Sequence, residues 1–234
     1  MTEPCVLAWR AGSAGTLLSR LELDGLPAAE AALLDKKGRE RWLMAGWLAV
    51  RAHTLSYPLR VLACERPDFL LDGPGLKMGM ECMEVVPAEF KRLQTELRDV
   101  NSGWVEPLRA PGQFEWDWSN PVLAGLLART HRQQQSPEDP RALWLSVMAW
   151  AVAKKRDILQ RNGFQRRPVN GLLLHDNWPL AELDPLPVER LHRSLLEAGA
   201  YADFQRVAFM REGRVWQLEA TGVIGPPRPA GNGG

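Results

Sequence analysis

The chain has 234 residues, 45% of them hydrophobic and 24% charged, with a formal net charge of +1. That length and composition suit one globular domain with insertions, or two small ones, and the near-zero charge excludes a global basic field advertising nucleic-acid binding, though not a local basic groove. No run approaches the roughly 18 apolar residues of a membrane helix, and the N-terminus lacks the basic start and apolar core of a signal peptide.

Residues 4–24 are apolar and punctuated by glycine, consistent with a strand or two packing on the main core. A first helix is expected over 26–54, with Pro27 suited to its first turn. Residues 59–64 lead into a hairpin whose strands lie at 65–71 and 78–86, joined by Asp72-Gly73-Pro74-Gly75. Pro87 opens a second helix, 88–100, ended by Asn101-Ser102-Gly103. An insertion at about 103–140 follows, with a short helix at 121–132 and a polar loop near 133–140. A long helix is expected over 141–161 with Asn162-Gly163 at its C-terminus, then a buried strand over 170–176. A helix at 187–198 and a hairpin-like pair at 202–211 and 213–220 complete a single domain, 1–225, ahead of a disordered tail, 226–234. The pattern implies an α/β fold: a mixed central sheet flanked by helices.

Cys5, Cys64 and Cys82 form no metal-binding spacing, and the two in predicted strands, Cys64 and Cys82, are expected as small buried thiols. Their odd, sparse count fits a reducing cytoplasm. Of the ten tryptophans, Trp42, Trp47, Trp144 and Trp150 are expected to fill core. Trp104, Trp116 and Trp118 are expected to pack the insertion on the domain, with stacking on unpaired bases as the alternative.

The hairpin carries the chemistry. Asp68 and Glu81 each interrupt an apolar strand, and their separation of 13 positions lets a hairpin set the two carboxylates side by side. Two acids on neighbouring half-buried strands repel and lose hydration, a cost that a hard cation such as Mg²⁺ offsets. Strand alternation puts Glu81, Met83 and Val85 on one face and Cys82 and Glu84 on the other, and it turns Glu65 away from Asp68. On the first helix, Glu40 falls within the apolar face defined by Leu33, Met44, Trp47 and Leu48. Lys37 and Arg51 on that same face offer it ordinary ion-pair partners. On the long helix, Lys155 lies near the centre of the face lined by Trp144, Met148, Ala151, Val152, Ile158 and Leu159. An ammonium so placed either snorkels out or meets a carboxylate. His175-Asp176, ending a buried strand, reads mainly as a turn.

At Arg66-Pro67-Asp68-Phe69 and Gly79-Met80-Glu81 the chain resembles the PD-(D/E)xK nuclease superfamily, strongly over about 60–90 and more weakly around 154–176. The resemblance implies a restriction-endonuclease-like core with an insertion and C-terminal additions. It implies Asp68 and Glu81 as ligands of Mg²⁺ (or Mn²⁺), an assisting Glu40 on the first helix, and DNA as the partner, with a homodimer as an option and no membrane. Met83 stands where the family usually has lysine, and a lysine displaced onto the long helix, Lys155, is the candidate to replace it. The expected function is Mg²⁺-dependent hydrolysis of phosphodiester bonds in DNA. The alternative is the same fold without chemistry, serving as a nucleic-acid-binding or protein-interaction module.

Overall fold

The computed structural model describes residues 5–25, 35–85, 140–160, 166–177 and 186–226. Eight strands form one mixed sheet in which spatial order follows chain order, β1 to β8. The strands are β1 (Val6–Ala11), β2 (Leu59–Ala63), β3 (Phe69–Gly73), β4 (Leu76–Val85), β5 (Val169–Asp176), β6 (Arg206–Arg211), β7 (Arg214–Glu219) and β8 (Gly222–Ile224). Strands β1–β4 form an antiparallel meander; β4, β5 and β6 run parallel; β6–β8 are antiparallel again. Four helices are described: α1 (Ala14–Leu23), α2 (Lys36–Arg51), α3 (Pro140–Leu159) and α4 (Val188–Glu197). The mixed α/β architecture expected from the sequence is therefore present.

Local chemistry sets the helix starts. The Ser13 side chain accepts from the Thr16 N–H, and Asp35 accepts from the Gly38 N–H at 2.6 Å, each satisfying an orphan amide of a first turn. Pro74-Gly75 is the two-residue loop of the β3–β4 hairpin, with Gly75 at φ +70°, a backbone region that favours glycine.

The sheet separates two cores. On one face α1 and α2 cover Leu71, Met80, Leu173 and Met210, with Trp47 buried among them. On the other, α3 and α4 cover Leu172, Leu174 and Phe209, with Trp144 and Met148. Because β5 is buried on both faces, its leucines run continuously instead of alternating with polar residues.

Several sequence expectations need correction. Residues 6–23 form one strand and one helix, and that strand is the edge of the main sheet. Cys5 and Cys64 are joined in a disulfide, not held as free thiols. The antiparallel pairing of Val6 with Ala63 brings the next residues, Cys5 and Cys64, together with a Cα–Cα distance of 4.4 Å. Cys82 alone remains a buried thiol. His175 and Asp176 belong to β5 rather than to a turn. Asp176 accepts from Trp144 Nε1 at 2.7 Å and from Arg211 Nη1 at 3.2 Å. His175 meets the Trp42 ring, where burial pushes the imidazole down to about 4. Trp150 does not fill core: it is 52% exposed. The expected helix at 88–100, the insertion apart from Pro140, and the tail from 227 onward lie outside the described residues. No helix among the described residues is long and apolar enough to cross a membrane.

A candidate acidic site at the hairpin

Asp68 stands immediately before β3, and its neighbour Phe69 is the last β3 residue paired to β4, opposite Met80. Where that pairing ends, the Asp68 carboxylate takes over: its Oδ2 accepts from the Cys82 N–H at 2.7 Å. The Asp68 carbonyl accepts from the Cys64 N–H at 2.8 Å, tying the residue to the end of β2 as well. Gly79 makes this approach sterically possible. A Cβ there would lie 2.8 Å from Pro67 Cγ and 3.1 Å from Arg167 Cγ, so the Pro67 ring seats on bare backbone.

Glu81 shares the α3-side face of β4 with Met83 and Val85, as strand alternation requires. The inner face of α3 buries Trp144, Met148, Ala151, Val152 and Leu159, which puts Lys155 above the sheet. Its Nζ lies 2.7 Å from Glu81 Oε2, with side-chain exposures of only 14% and 8%. Burial works against the Lys155 ammonium, yet the charge and hydrogen bond of Glu81, with Asp68 and Cys82 adding to them, outweigh it, and the pKa of Lys155 is raised. The expected meeting of this lysine with a carboxylate is thus found, beside Met83.

Glu40 projects from α2 on the other side of Asp68. Its oxygens lie 3.5 Å from Lys36 Nζ and 3.6 Å from Lys37 Nζ, and Lys37 reaches Glu65 at 3.4 Å. The ordinary ion-pair partner foreseen in Lys37 is therefore real, Lys36 joins it, and Arg51 is not among the partners. Glu65 faces this side, away from Glu81. Glu84 accepts from Asn177 Nδ2 at 3.1 Å and takes no part in the Glu81 pair.

Among the described residues, Asp68 is the acid of this group that enters no ion pair. Burial raises its pKa first, the Glu81 charge second and Glu40 further, against the Cys82 N–H and Lys155; the result is about 7. Glu81, Glu40 and Lys155, the other three residues singled out from the sequence, thus all act on the Asp68 carboxyl group. A cleft of about 190 Å³ opens beside Asp68 and Glu40, bordered by Lys37, Val6 and Leu7. No group of three or more His, Cys, Asp or Glu residues suited to a metal is found among the described residues.

The sequence reading missed the roles of Cys64 and Gly79. The glycine was visible in the motif, but its reason, the Pro67 ring, exists only once the strands pair. Comparison of the chain with protein-family models, with curated proteins and with solved structures finds no match in any of the three.

Proposed function

We propose that this chain is a divalent-metal-dependent hydrolase of phosphodiester bonds in nucleic acid, built on a restriction-endonuclease-like core. The observation that carries the reading is the Lys155–Glu81 contact of 2.7 Å beside Met83, with Asp68 next to it and, among the described residues, in no ion pair. A lysine from α3 there supplies the positive charge that Met83 cannot.

The donor set fits Mg²⁺ or Mn²⁺. Asp68 and Glu81 offer hard carboxylate oxygens, and Mg²⁺ is commonly held by one or two carboxylates while keeping several waters. A two-acid set is therefore enough. When bound, such an ion polarises a phosphoryl oxygen and lowers the pKa of a coordinated water. The protein's own part is separate. Asp68 must release its proton before it can act as a ligand, and the Cys82 N–H fixes the orientation of its carboxylate. Glu81 holds the Lys155 ammonium, which stabilises negative charge developing on a phosphate. Glu40, held by Lys36 and Lys37, adds negative charge to the cation-binding side of Asp68.

The deciding experiment measures cleavage of DNA in Mg²⁺ or Mn²⁺ together with the melting temperature in each ion. The expected result is cleavage and a divalent-ion-dependent rise in melting temperature, with cleavage abolished in a folded Asp68→Ala protein. Met83 favours the rival reading, a fold that has lost its chemistry. That reading wins if neither ion moves the melting temperature and no cleavage is seen.

A further inference from the structure

The helices cover the sheet unevenly. The core beneath α1 and α2 draws on every strand from β1 to β7, whereas the core beneath α3 and α4 draws on none of β1, β2 and β3. The α3-side face of the β1–β4 meander therefore stands open among the described residues. Strand pairing lays a charged row across it: Arg10 lies opposite Arg60, Arg60 opposite Asp72, and Asp72 opposite Lys77. Directly paired residues share a face, and the neighbours Trp9, Val61, Leu71 and Met78 all point into the opposite core. Three strand spacings of about 4.8 Å make the row roughly 14 Å wide. Arg60 and Asp72 form an ion pair, while Arg10 and Lys77 are exposed and enter none among the described residues. The row thus sets three cations against one anion. Lys77 also lies on the same face of β4 as Glu81, four residues earlier, or about 13 Å at 3.3 Å per residue. Between them comes an uncharged row of Leu62, Leu70 and Gly79. Register therefore places the cations beside the acidic site, on the face from which Lys155 meets Glu81.

A cationic row on an open sheet fits a polyanion, and its surroundings select the kind. Among the described residues of the meander, this face carries no aromatic ring, so unpaired bases find nothing to stack on. Phosphates find two cations that no carboxylate holds, at a span close to the roughly 12 Å width of a major groove.

We propose that the outer face of the β1–β4 meander is a docking surface for duplex DNA, with Arg10 and Lys77 on its phosphates and the backbone led from that row towards Glu81 and Asp68. This rests on the phosphodiesterase reading for its purpose and names the substrate form, but the surface is testable without catalysis. Such contacts fix the position of a duplex and read no sequence. Asp72 limits the surface, because it occupies Arg60 and is the one acid of the row.

The test uses the full-length protein in EDTA, so that cleavage plays no part, with a fluorescent duplex of about 20 base pairs and an oligothymidylate of equal length. The duplex should bind more tightly than the oligothymidylate. Arg10→Gln and Lys77→Gln should each lower the log–log salt slope of duplex binding by about 0.9, the value for one lost phosphate contact, and weaken it about 8-fold at about 0.1 M salt. Asp72→Asn should tighten binding, because it frees the Arg60 guanidinium and removes the acid. Arg20→Gln, an exposed arginine on α1 across the sheet, should leave the slope unchanged. An unchanged slope in either Arg10→Gln or Lys77→Gln overturns the proposal, as does an equal fall in Arg20→Gln or a failure of Asp72→Asn to tighten binding. Tighter binding of the oligothymidylate overturns the duplex assignment. Displacement of the duplex by polyglutamate at equal charge concentration also overturns it and makes the face a site for acidic proteins. The two readings fail separately. Cleavage with unchanged salt slopes in the variants leaves the phosphodiesterase standing and removes the docking surface. The expected slopes with no cleavage in any divalent ion do the reverse.

Discussion

Two glutamates flank Asp68 from opposite faces of the sheet, and each is met by lysine, yet the two encounters differ in kind. On the α2 side, Glu40 is shared by Lys36 and Lys37 at 3.5 and 3.6 Å, with lysine side chains 79% and 56% exposed. On the α3 side, Glu81 has Lys155 alone among the described residues, at 2.7 Å and almost out of water. Formal charge favours the first arrangement, with two cations to one anion. Physical commitment favours the second, because water screens exposed pairs and leaves them worth little, whereas a buried ion that loses its partner is strongly penalised. The difference teaches that a lysine's role here is set by where its helix face points, not by how many acids lie nearby.

The comparison breaks most visibly at Lys155. Lys155→Met should cost about 3 kcal/mol of stability in denaturant unfolding, because Glu81 is left buried and unpaired. It should also cost about 100-fold or more in cleavage rate, the scale seen when one charge-stabilising donor is removed. Adding Glu81→Gln to that variant should return much of the stability and none of the cleavage, which separates the structural part of the pair from the chemical part. Lys36→Met should shift stability by less than about 1 kcal/mol.

Asp68→Asn should act in the opposite direction on stability. Folded Asp68 holds its proton up to about pH 7, against 3.8 for the unconstrained group, so the folded state binds that proton more tightly. The stability linked to it is fully present below about pH 4 and is lost as pH rises through 7. The variant should therefore melt like the parent at pH 4 and higher than the parent at pH 8, in metal-free buffer. Equal melting temperatures at pH 8 would mean that the carboxylate is adequately solvated or neutralised.

The same proton governs the cation. The rise in melting temperature produced by Mg²⁺ or Mn²⁺ should be small at pH 6 and larger at pH 8, because Asp68 is free to act as a ligand only when ionised. Asp68→Asn should remove that pH dependence. At the small end, Glu40→Gln should change stability by less than about 1 kcal/mol, since the exposed pairs it gives up are worth little and the repulsion of Asp68 that it relieves is weaker than that from Glu81. A larger effect would make the α2 side equivalent to the α3 side and erase the distinction.

The parts of the site readable in advance were those that obey a period. Alternation along β4 separated Glu81 from Glu84, and the 100° phase of α3 aimed Lys155 at the sheet. The strand at 169–176, the helices at 140–159 and 188–197, and the Pro74-Gly75 turn were legible for the same reason. Trp150 was misjudged because tryptophan in an apolar helix suggests core, and its phase lies outside the buried face. The Cys5–Cys64 bridge was invisible because it depends on the register of β1 against β2, a pairing between segments some sixty residues apart. The final strand, β8, is three residues long and owes its existence to β7, so no local signal marks it. The Asp176–Trp144–Arg211 network likewise joins three distant elements.

A sheet whose neighbours in space are neighbours in sequence imposes a timetable during synthesis. Strands β1 to β4 leave the ribosome before α3, and with them come both halves of the Asp68–Glu81 pair. Lys155 follows Glu81 by 74 residues. At about 5–20 residues per second that is an interval of roughly 4–15 s. If the meander closes as it emerges, its two acids meet before their ammonium has been made. The nascent sheet then needs another counter-charge, and a retained proton on Asp68 or a divalent ion from the surrounding fluid can supply it. The helix that completes the site is in this sense also the one that relieves its precursor.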